Sequence, residues 1–289
     1  MAQMMLSSYD RLLRYCVGQG ATVLTNNDIN KRDLMMWLPS VSAQIEKFLN
    51  RSLHIESRTE YFDVDYERKE YYPKANPITT LTSVYSDAGG EWDGSEAEIS
   101  DCYIGRDGNS VVLPNAEPFI AKKGLRIIYT GGLATTATRS VYAISGSAGT
   151  WTAGQYVFGG TSYAVGKVVS ATATVLTADV LYGVFEAGEA LTEYTTEAGA
   201  TAGDATATLA SVTTAALCES YPDIVTACEI QVRHMWANKT RLDVSSVSKD
   251  GGVQRIGAQW QSSVMGPPPP IVNDAYNILM PYRRVVGLI

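Results

Sequence analysis

The sequence predicts an α+β protein, in which a helical domain with a small antiparallel sheet is interrupted by an inserted all-β domain. Two observations lead to this fold class. Apolar residues recur at helical spacing near both ends of the chain. Charged residues become scarce between them: residues 134–216 hold 2 Lys+Arg and 6 Asp+Glu, whereas residues 1–133 hold 14 and 18. The predicted domains are therefore 1–133 together with 217–289, and the insert 134–216.

The first region begins with a predicted helix. Asn27 or Asp28 supplies a side-chain oxygen that caps a free backbone N–H of the first turn. Pro39 removes a backbone donor, so we expect a kink there or two separate helices. The apolar stripe that predicts this helix comprises Val41, Ile45, Phe48 and Leu49.

Short strands follow this helix. Their composition is rich in β-branched and aromatic residues, and Gly, Pro, Asn and Asp separate them. The predicted strands are 55–64, 81–85, 110–114 and 125–130.

The insert is dense in Gly, Thr, Ala and Ser and contains a near-repeat with an offset of 34 residues. The five residues from Trp151 align with the five from Phe185, and Ala171–Leu176 aligns with Ala205–Ala210. Chance similarity in biased sequence is the alternative explanation. Threonine and glycine at this density favour strands and turns over helix.

The last region returns to helix. Pro222 suits a first helical position, where its missing N–H costs nothing. Residues 243–289 are predicted to form a polar loop and a C-terminal arm. The arm includes the stiff tract Pro267, Pro268, Pro269 and Pro270, a short helix, and the residues Tyr282, Arg283 and Arg284.

No pattern indicates catalysis, a cofactor or a metal. His54 and His234 are the two histidines, and neither lies in a recognisable motif. The cysteines are scattered, without the clustering that zinc requires, so we expect them to be reduced and mostly buried. Glycine-rich stretches match no phosphate-binding motif. The sequence therefore predicts no catalytic, cofactor-binding or metal-binding residues and a protein that is not an enzyme.

The formal net charge is −7. Tight binding to DNA phosphates needs a basic surface, and no basic stripe is visible in the sequence. An acidic wall can still surround DNA, because repulsion keeps the polyanion from adhering. The sequence also contains no signal peptide and no apolar run of membrane-spanning length, which predicts a protein made in a cytoplasm.

Five short motifs mark the ends of the predicted elements: Ile45–Arg51 at a helix end, Asn76-Pro77-Ile78, the strand end Tyr129–Gly132, the helix start Tyr221–Ile224, and Pro281–Arg284. In this order they resemble the motifs of the head–tail connector (adaptor) family of long-tailed double-stranded DNA bacteriophages. The resemblance covers about 1–133 and 217–289. In the family, the strand end leads almost directly to the helix start, and here the insert separates them.

The resemblance implies a structural virion protein located in the neck between head and tail. It would form a homo-oligomeric ring, commonly of twelve subunits, which contacts the portal protein and a neck or tail-completion protein. DNA would pass through the ring without sequence-specific binding, and no membrane would be involved. Candidate partner contacts are Pro267–Pro270, Tyr282, Arg283 and Arg284, where both arginines could pair with acidic groups.

The alternative function is that of a virion decoration or a protein that binds the host surface or a glycan through the β insert. The tyrosines of the insert suit protein contacts, and a place in the core of the insert is the simpler explanation for most of them. A third hypothesis is an unrecognised hydrolase that uses His54 or His234.

Overall fold

The protein is mostly β. The computed structural model describes residues 4–17, 28–94, 96–115, 117, 119–199, 201–237, 246–247, 253–254 and 271–283. Strands account for 39% of these residues and helices for 24%, and six of the strands close into a barrel. The predicted fold class, a helical connector domain with a small sheet and an inserted β domain, is therefore wrong. Two strong apolar stripes identified the long helices correctly, but the strands between them are longer and more extensively paired than their sequence patterns suggested.

The chain divides into two compact units. The barrel unit comprises Met1–Phe48 and Thr136–Tyr282, and the sheet unit comprises Leu49–Thr135 and Arg283–Ile289. The helical segments beyond Thr136 thus group with the barrel and not with the sheet. The predicted boundaries after residues 133 and 216 stay predictions.

The helices are mostly short. Their bounds are α1 (Tyr9–Val17), α2 (Asp28–Leu49), α3 (Leu217–Ser220), α4 (Pro222–Ala237) and α5 (Asn273–Leu279), and a 3-10 turn follows at Met280–Tyr282. Helix α4 begins at Pro222, as the sequence predicted. Helix α2 continues through Pro39, so a division into two helices is wrong.

Contacts on the buried face of α2 explain its continuity. Leu38, Val41 and Ile45 are fully buried, and each such side chain contributes roughly 1.5–3 kcal/mol. This outweighs the single backbone hydrogen bond that Pro39 removes. Ser42 adds a link across the barrel unit, because its hydroxyl donates to the Leu38 carbonyl at 2.8 Å and accepts the Leu6 N–H at 3.0 Å.

The sheet unit contains two antiparallel sheets. Its strands are β1 (Glu56–Val64), β2 (Glu70–Tyr71), β3 (Ile78–Ser86), β4 (Ala97–Glu98), β5 (Tyr103–Ile104), β6 (Val111–Val112) and β7 (Ala121–Gly131). The main sheet has the order β1-β7-β3-β4, and the smaller sheet has the order β2-β6-β5. The residues between the two sheets include Val84, Ile127 and Tyr129, all fully buried. The main sheet therefore has one face on this core and one outer face.

The barrel unit contains the remaining strands. They are β8 (Arg139–Ala148), β9 (Tyr156–Gly159), β10 (Val165–Ala171), β11 (Val175–Tyr182), β12 (Ala190–Tyr194) and β13 (Ala202–Thr214), followed by the two-residue pair β14 (Ser246–Val247) and β15 (Val253–Gln254). The closed order is β10-β11-β8-β13-β12-β9. Alternate side chains point inward, among them the buried Val157, Leu176, Leu191 and Leu209.

The barrel is built from two equivalent halves. The first half contains β8, β9 and β10, and the second contains β11, β12 and β13. The pair β9–β10 corresponds to β12–β13, and the pair β10–β11 corresponds to β13–β8. Four pairs join the two halves: β8–β11, β9–β12, β10–β11 and β8–β13. The barrel therefore has an approximate internal two-fold symmetry.

The first aligned motif of the near-repeat occupies equivalent turns in the two halves. Gly154 and Gly188 have φ values of 90° and 91°, which only glycine adopts easily. The Gly154 N–H donates to the Val168 carbonyl at 2.8 Å, and the Gly188 N–H donates to the Leu209 carbonyl at 2.7 Å. The second aligned pair differs in structure: Ala171–Leu176 spans the β10–β11 hairpin, whereas Ala205–Ala210 lies inside β13.

Helix α1 attaches to both the barrel and α4. The Arg11 guanidinium donates to Glu229 Oε1 at 2.7 Å and to the Val180 and Leu181 carbonyls at 3.4 and 3.1 Å. The Ser7 hydroxyl donates to the same Glu229 oxygen at 2.8 Å. Arg11 and Glu229 are both nearly buried, so this pair is the main polar link between α1, α4 and strand β11.

Candidate functional site

The outer face of the main sheet carries a row of aromatic and cationic side chains. Tyr61 on β1 lies opposite Arg126 on β7, and Arg126 lies opposite Tyr85 on β3. Side chains alternate between the two faces of a strand, so these three share the face that is turned away from the core. Neighbouring positions on this face, such as Thr59 and Ile128, are exposed or half-buried.

The rings and the guanidinium stack on one another. The Arg126 guanidinium carbon lies 4.6 Å from the Tyr85 ring centroid and 4.7 Å from the Trp92 ring. Tyr61 meets Trp92 edge-to-face with centroids 5.3 Å apart. Arg126 also donates to Glu96 Oε1 at 3.0 Å. We call Tyr61, Tyr85, Trp92 and Arg126 the aromatic ladder.

Hydrogen bonds to Asp87 hold Trp92 in place. Asp87 Oδ1 accepts the Gly89 N–H at 2.9 Å, and Oδ2 accepts the Trp92 N–H at 2.7 Å. The Trp92 indole N–H donates to the Lys123 carbonyl at 3.1 Å. The N–H of Trp92, with those of the preceding loop residues, lowers the pKa of Asp87. The loop is thus fixed by a charged carboxylate, and Trp92 has a defined position.

A surface cavity of about 330 Å³ lies against the loop that carries Trp92. Its lining includes Asp87, Glu91 and Asp93 from the Trp92 loop, together with Ala97 and Phe119. Residues 87–101 contain six acidic and no basic side chains. The cavity therefore combines an acidic rim with one aromatic side chain.

The ladder has the composition of a protein-binding surface. Trp, Tyr and Arg dominate the binding energy of protein interfaces. Tyr61 is 46% exposed, and Trp92, Tyr85 and Arg126 are half-buried. The internal stacking keeps these side chains ordered, which reduces the entropy lost when a partner binds.

The inner face of β1 carries the polar residues that surround His54. The His54 Nδ1 lies 3.7 Å from Glu56 Oε2, and Glu56 also pairs with Arg58. Arg58 donates to the Ser52 hydroxyl at 2.8 Å. These contacts form an ion-pair network at the start of the strand, and a nucleophile poised against an imidazole base is absent from them.

A second buried polar contact lies further along the same strand. The Tyr129 hydroxyl donates to Glu60 Oε1 at 2.5 Å and accepts the Ala75 N–H at 3.0 Å. Burial and the hydrogen bond to Glu60 raise the pKa of Tyr129. This tyrosine therefore stays protonated and has a structural role.

Of the sequence-predicted contact residues, the structure describes Tyr282 and Arg283. Pro267–Pro270 and Arg284 lie outside the described residues. The Tyr282 hydroxyl donates to Asp223 Oδ2 at 3.0 Å, and its ring meets Tyr221 edge-to-face. Burial, followed by the contact with Asp223, raises the pKa of Tyr282. Arg283 is exposed. The role of these residues in partner binding stays a prediction.

Sequence reasoning missed the aromatic ladder. Its members come from three strands and a loop, and only the register of the strands places them side by side. The one available signal was the alternation in β1, which puts Tyr61 on the same face as Ser57 and Thr59.

Cysteine burial agrees with the sequence where the structure describes it. Cys218 and Cys228 are buried free thiols, and Cys102 is half-buried and free. Burial raises the pKa of the Cys218 thiol to about 12, which makes it a poor nucleophile.

No group of three or more His, Cys, Asp or Glu side chains among the described residues could hold a metal ion. None of the helices described is both long enough and apolar enough to span a lipid bilayer.

The chain matches no known protein-family model and no curated protein.

Proposed function

We propose that the protein is a structural assembly subunit of a tailed-phage virion. It forms a homo-oligomeric ring in the neck, where it joins the portal to a neck or tail-completion protein and extends the DNA channel. The aromatic ladder is the observation that carries an assembly function, because its preordered Tyr, Trp and Arg side chains suit protein contacts. The assignment to the neck is supported by the sequence motifs that resemble the connector family.

The ladder can also serve a ring whose body is not helical. The main sheet presents its outer face over β1, β7 and β3 in each subunit. A ring needs two different surfaces on every subunit, one for each neighbour. The outer face supplies one such surface.

Co-expression with the portal protein tests this function. Negative-stain microscopy and mass photometry should show a ring of this chain, alone or docked on the portal. Tyr61→Ala with Trp92→Ala should weaken partner binding by tenfold or more, while Asp101→Asn, at an exposed position outside the ladder, should not. A chain that stays monomeric and never binds portal would contradict the proposal.

A second candidate function is glycan or host-surface binding through the barrel, either as a decoration of the virion or during attachment. The observation that favours it is Tyr163, which is 80% exposed and has a left-handed backbone with φ of 55°. Tyr182 and Val184 are also exposed, at 43% and 47%. An exposed aromatic residue on a strained backbone is unfavourable unless it has a use.

A glycan array probed with the whole chain tests this second function. Binding that Tyr163→Ser abolishes would support it. An array without signal would count against it.

A further inference from the structure

Helix α2 has an exposed stripe along one side. Its exposed residues recur every three or four positions, which places them on one face of the helix. They are Arg32, Met36, Ser40, Ala43 and Lys47, and we call them the α2 stripe. Met36 is 64% exposed. Among the described residues, neither Arg32 nor Lys47 has an ion-pair partner. The α2 stripe therefore carries an exposed apolar side chain and two unpaired cations.

The aromatic ladder belongs to a row of side chains that ends in a carboxylate. Glu98 on β4 pairs directly with Tyr85 on β3. Directly opposite residues of an antiparallel pair lie on the same face of the sheet, so Glu98 lies beside the ladder. The row across the four strands is Tyr61, Arg126, Tyr85 and Glu98. Glu98 is exposed and has no ion-pair partner in the part of the chain that the structure describes. The outer face therefore presents aromatic rings beside an unpaired carboxylate.

The two surfaces match in spacing and in charge. Arg32 and Met36 are one helical turn apart, about 6 Å along the axis. Tyr85 and Glu98 lie on neighbouring strands, about 5 Å apart. A helix that places Met36 on the rings of the ladder can therefore bring the Arg32 guanidinium to the Glu98 carboxylate. Methionine sulfur packs favourably against aromatic rings, and a helix commonly covers the face of a sheet.

We infer that the α2 stripe of one copy docks on the aromatic ladder of a second copy. The inference rests on the proposed function and deepens it, since it names the second surface that a ring of identical subunits requires. Charge selects this head-to-tail pairing. Two ladders placed face to face would bring Glu98 carboxylates together, and two α2 stripes would bring their cations together, which is unfavourable. The contact between unlike surfaces joins a cation to a carboxylate.

A mixture of two variants of the full-length chain tests this pairing. Tyr61→Ala with Trp92→Ala disables the ladder, and Met36→Glu disables the α2 stripe. Each variant should be monomeric alone at a concentration at which the unmodified chain self-associates. The mixture should form a one-to-one dimer, because the intact stripe of the first variant meets the intact ladder of the second. Sedimentation velocity measures these masses, and circular dichroism checks that both variants are folded.

A second methionine provides the matched control. Met280 is 41% exposed and lies outside the α2 stripe, so Met280→Glu should leave self-association unchanged. Self-association of the Met36→Glu variant alone would show that its ladder meets another surface, and it would overturn the inference. A mixture that stays monomeric would also overturn it, and would leave the ladder to a different protein.

Charge reversal tests the ion pair between the two surfaces. Arg32→Glu and Glu98→Arg should each weaken self-association about fivefold or more, because each change places two like charges together. The double variant carries the same pair in reversed order, and its affinity should return to within about twofold of that of the unmodified chain. A double variant that associates no more tightly than the single variants would overturn the pairing of Arg32 with Glu98.

The same variants separate this inference from the neck assignment. A one-to-one dimer from the mixture, in a chain that closes no ring and ignores portal, would refute the neck function alone. A ring that docks on portal and still forms with Met36→Glu would refute the α2 inference alone.

Discussion

At the scale of single residues, buried carboxylates organise the loops of both units. Asp87 fixes the Trp92 loop, and Glu189 fixes two loops at one end of the barrel. Glu189 is 4% exposed and accepts N–H groups from Glu186 at 2.8 Å, Thr161 at 3.2 Å and Ser162 at 3.1 Å. The contacts of Asp87 are local, to Gly89 and Trp92, whereas the Thr161 and Ser162 donors of Glu189 could not be predicted because only the fold brings them near.

Replacing Glu189 should destabilise the barrel. Glu189→Ala leaves three backbone donors without their acceptor, so we expect a loss of about 2–4 kcal/mol in the free energy of unfolding. Urea denaturation measures this loss. Glu186→Ala, at an exposed neighbouring position, should change stability by less than about 0.5 kcal/mol. Equal effects of the two changes would show that the buried contacts of Glu189 are not important.

Acid should release the Trp92 loop. Hydrogen bonds lower the pKa of Asp87 in the folded protein. The ionised carboxylate therefore stabilises the loop fully above the pKa of an aspartate in the unfolded chain, which is about 4. This stabilisation is lost as the pH falls through the lower folded value. Near-UV circular dichroism of Trp92, taken as the difference from Trp92→Phe, should therefore stay constant down to about pH 4 and then decline.

An asparagine at position 87 provides the control for this titration. Asp87→Asn replaces one acceptor oxygen by an amide donor, so the Trp92 signal should be weakened at neutral pH and lose its acid transition. Asp101→Asn, at an exposed position, should leave the transition in place. An unchanged acid transition in Asp87→Asn would assign it to another group.

At the scale of elements, the helices were predictable and the barrel pairings were not. The stripe on α2 and the proline that begins α4 are local signals, readable within four turns of helix. The pairing of Val141 with Thr214 joins distant parts of the chain, and no local pattern specifies it. Strand β13 shows the difficulty: its Ala-Thr alternation resembles the β10–β11 hairpin in sequence but forms one long strand.

Helix α1 should be bound mainly through Arg11. Arg11→Met leaves the nearly buried Glu229 carboxylate with the Ser7 hydroxyl as its remaining hydrogen-bond donor among the described residues, so we expect a loss of about 3–5 kcal/mol. Glu229→Met alone should be similarly costly, because the nearly buried Arg11 guanidinium loses its counter-charge and keeps only its hydrogen bonds to the Val180 and Leu181 carbonyls. The double variant should lose clearly less than the sum of the two single variants. Urea denaturation of all four proteins completes this cycle, and additive losses would contradict a direct coupling.

At the scale of the whole molecule, composition indicated the charge-poor region but not its architecture. The scarcity of charge in 134–216 reflects strands that use Thr, Ala and Gly on the outside of a small barrel, where residues such as Thr206 and Thr208 are exposed. The helices near both ends suggested one helical body. Helices α1 and α4 do pack on each other, but α1 also contacts the barrel through Arg11. The aromatic ladder depends on register across three strands, so sequence alone could not find it.

The two-fold repetition of the barrel has a consequence for refolding. Each half leaves strand edges that its sister half satisfies, at the four pairs β8–β11, β9–β12, β10–β11 and β8–β13. A half from another molecule presents the same edges, so two chains can exchange halves and form an interlocked dimer. Refolding from urea at high protein concentration should yield such dimers, detectable by size-exclusion chromatography, while dilute refolding should yield monomeric barrels.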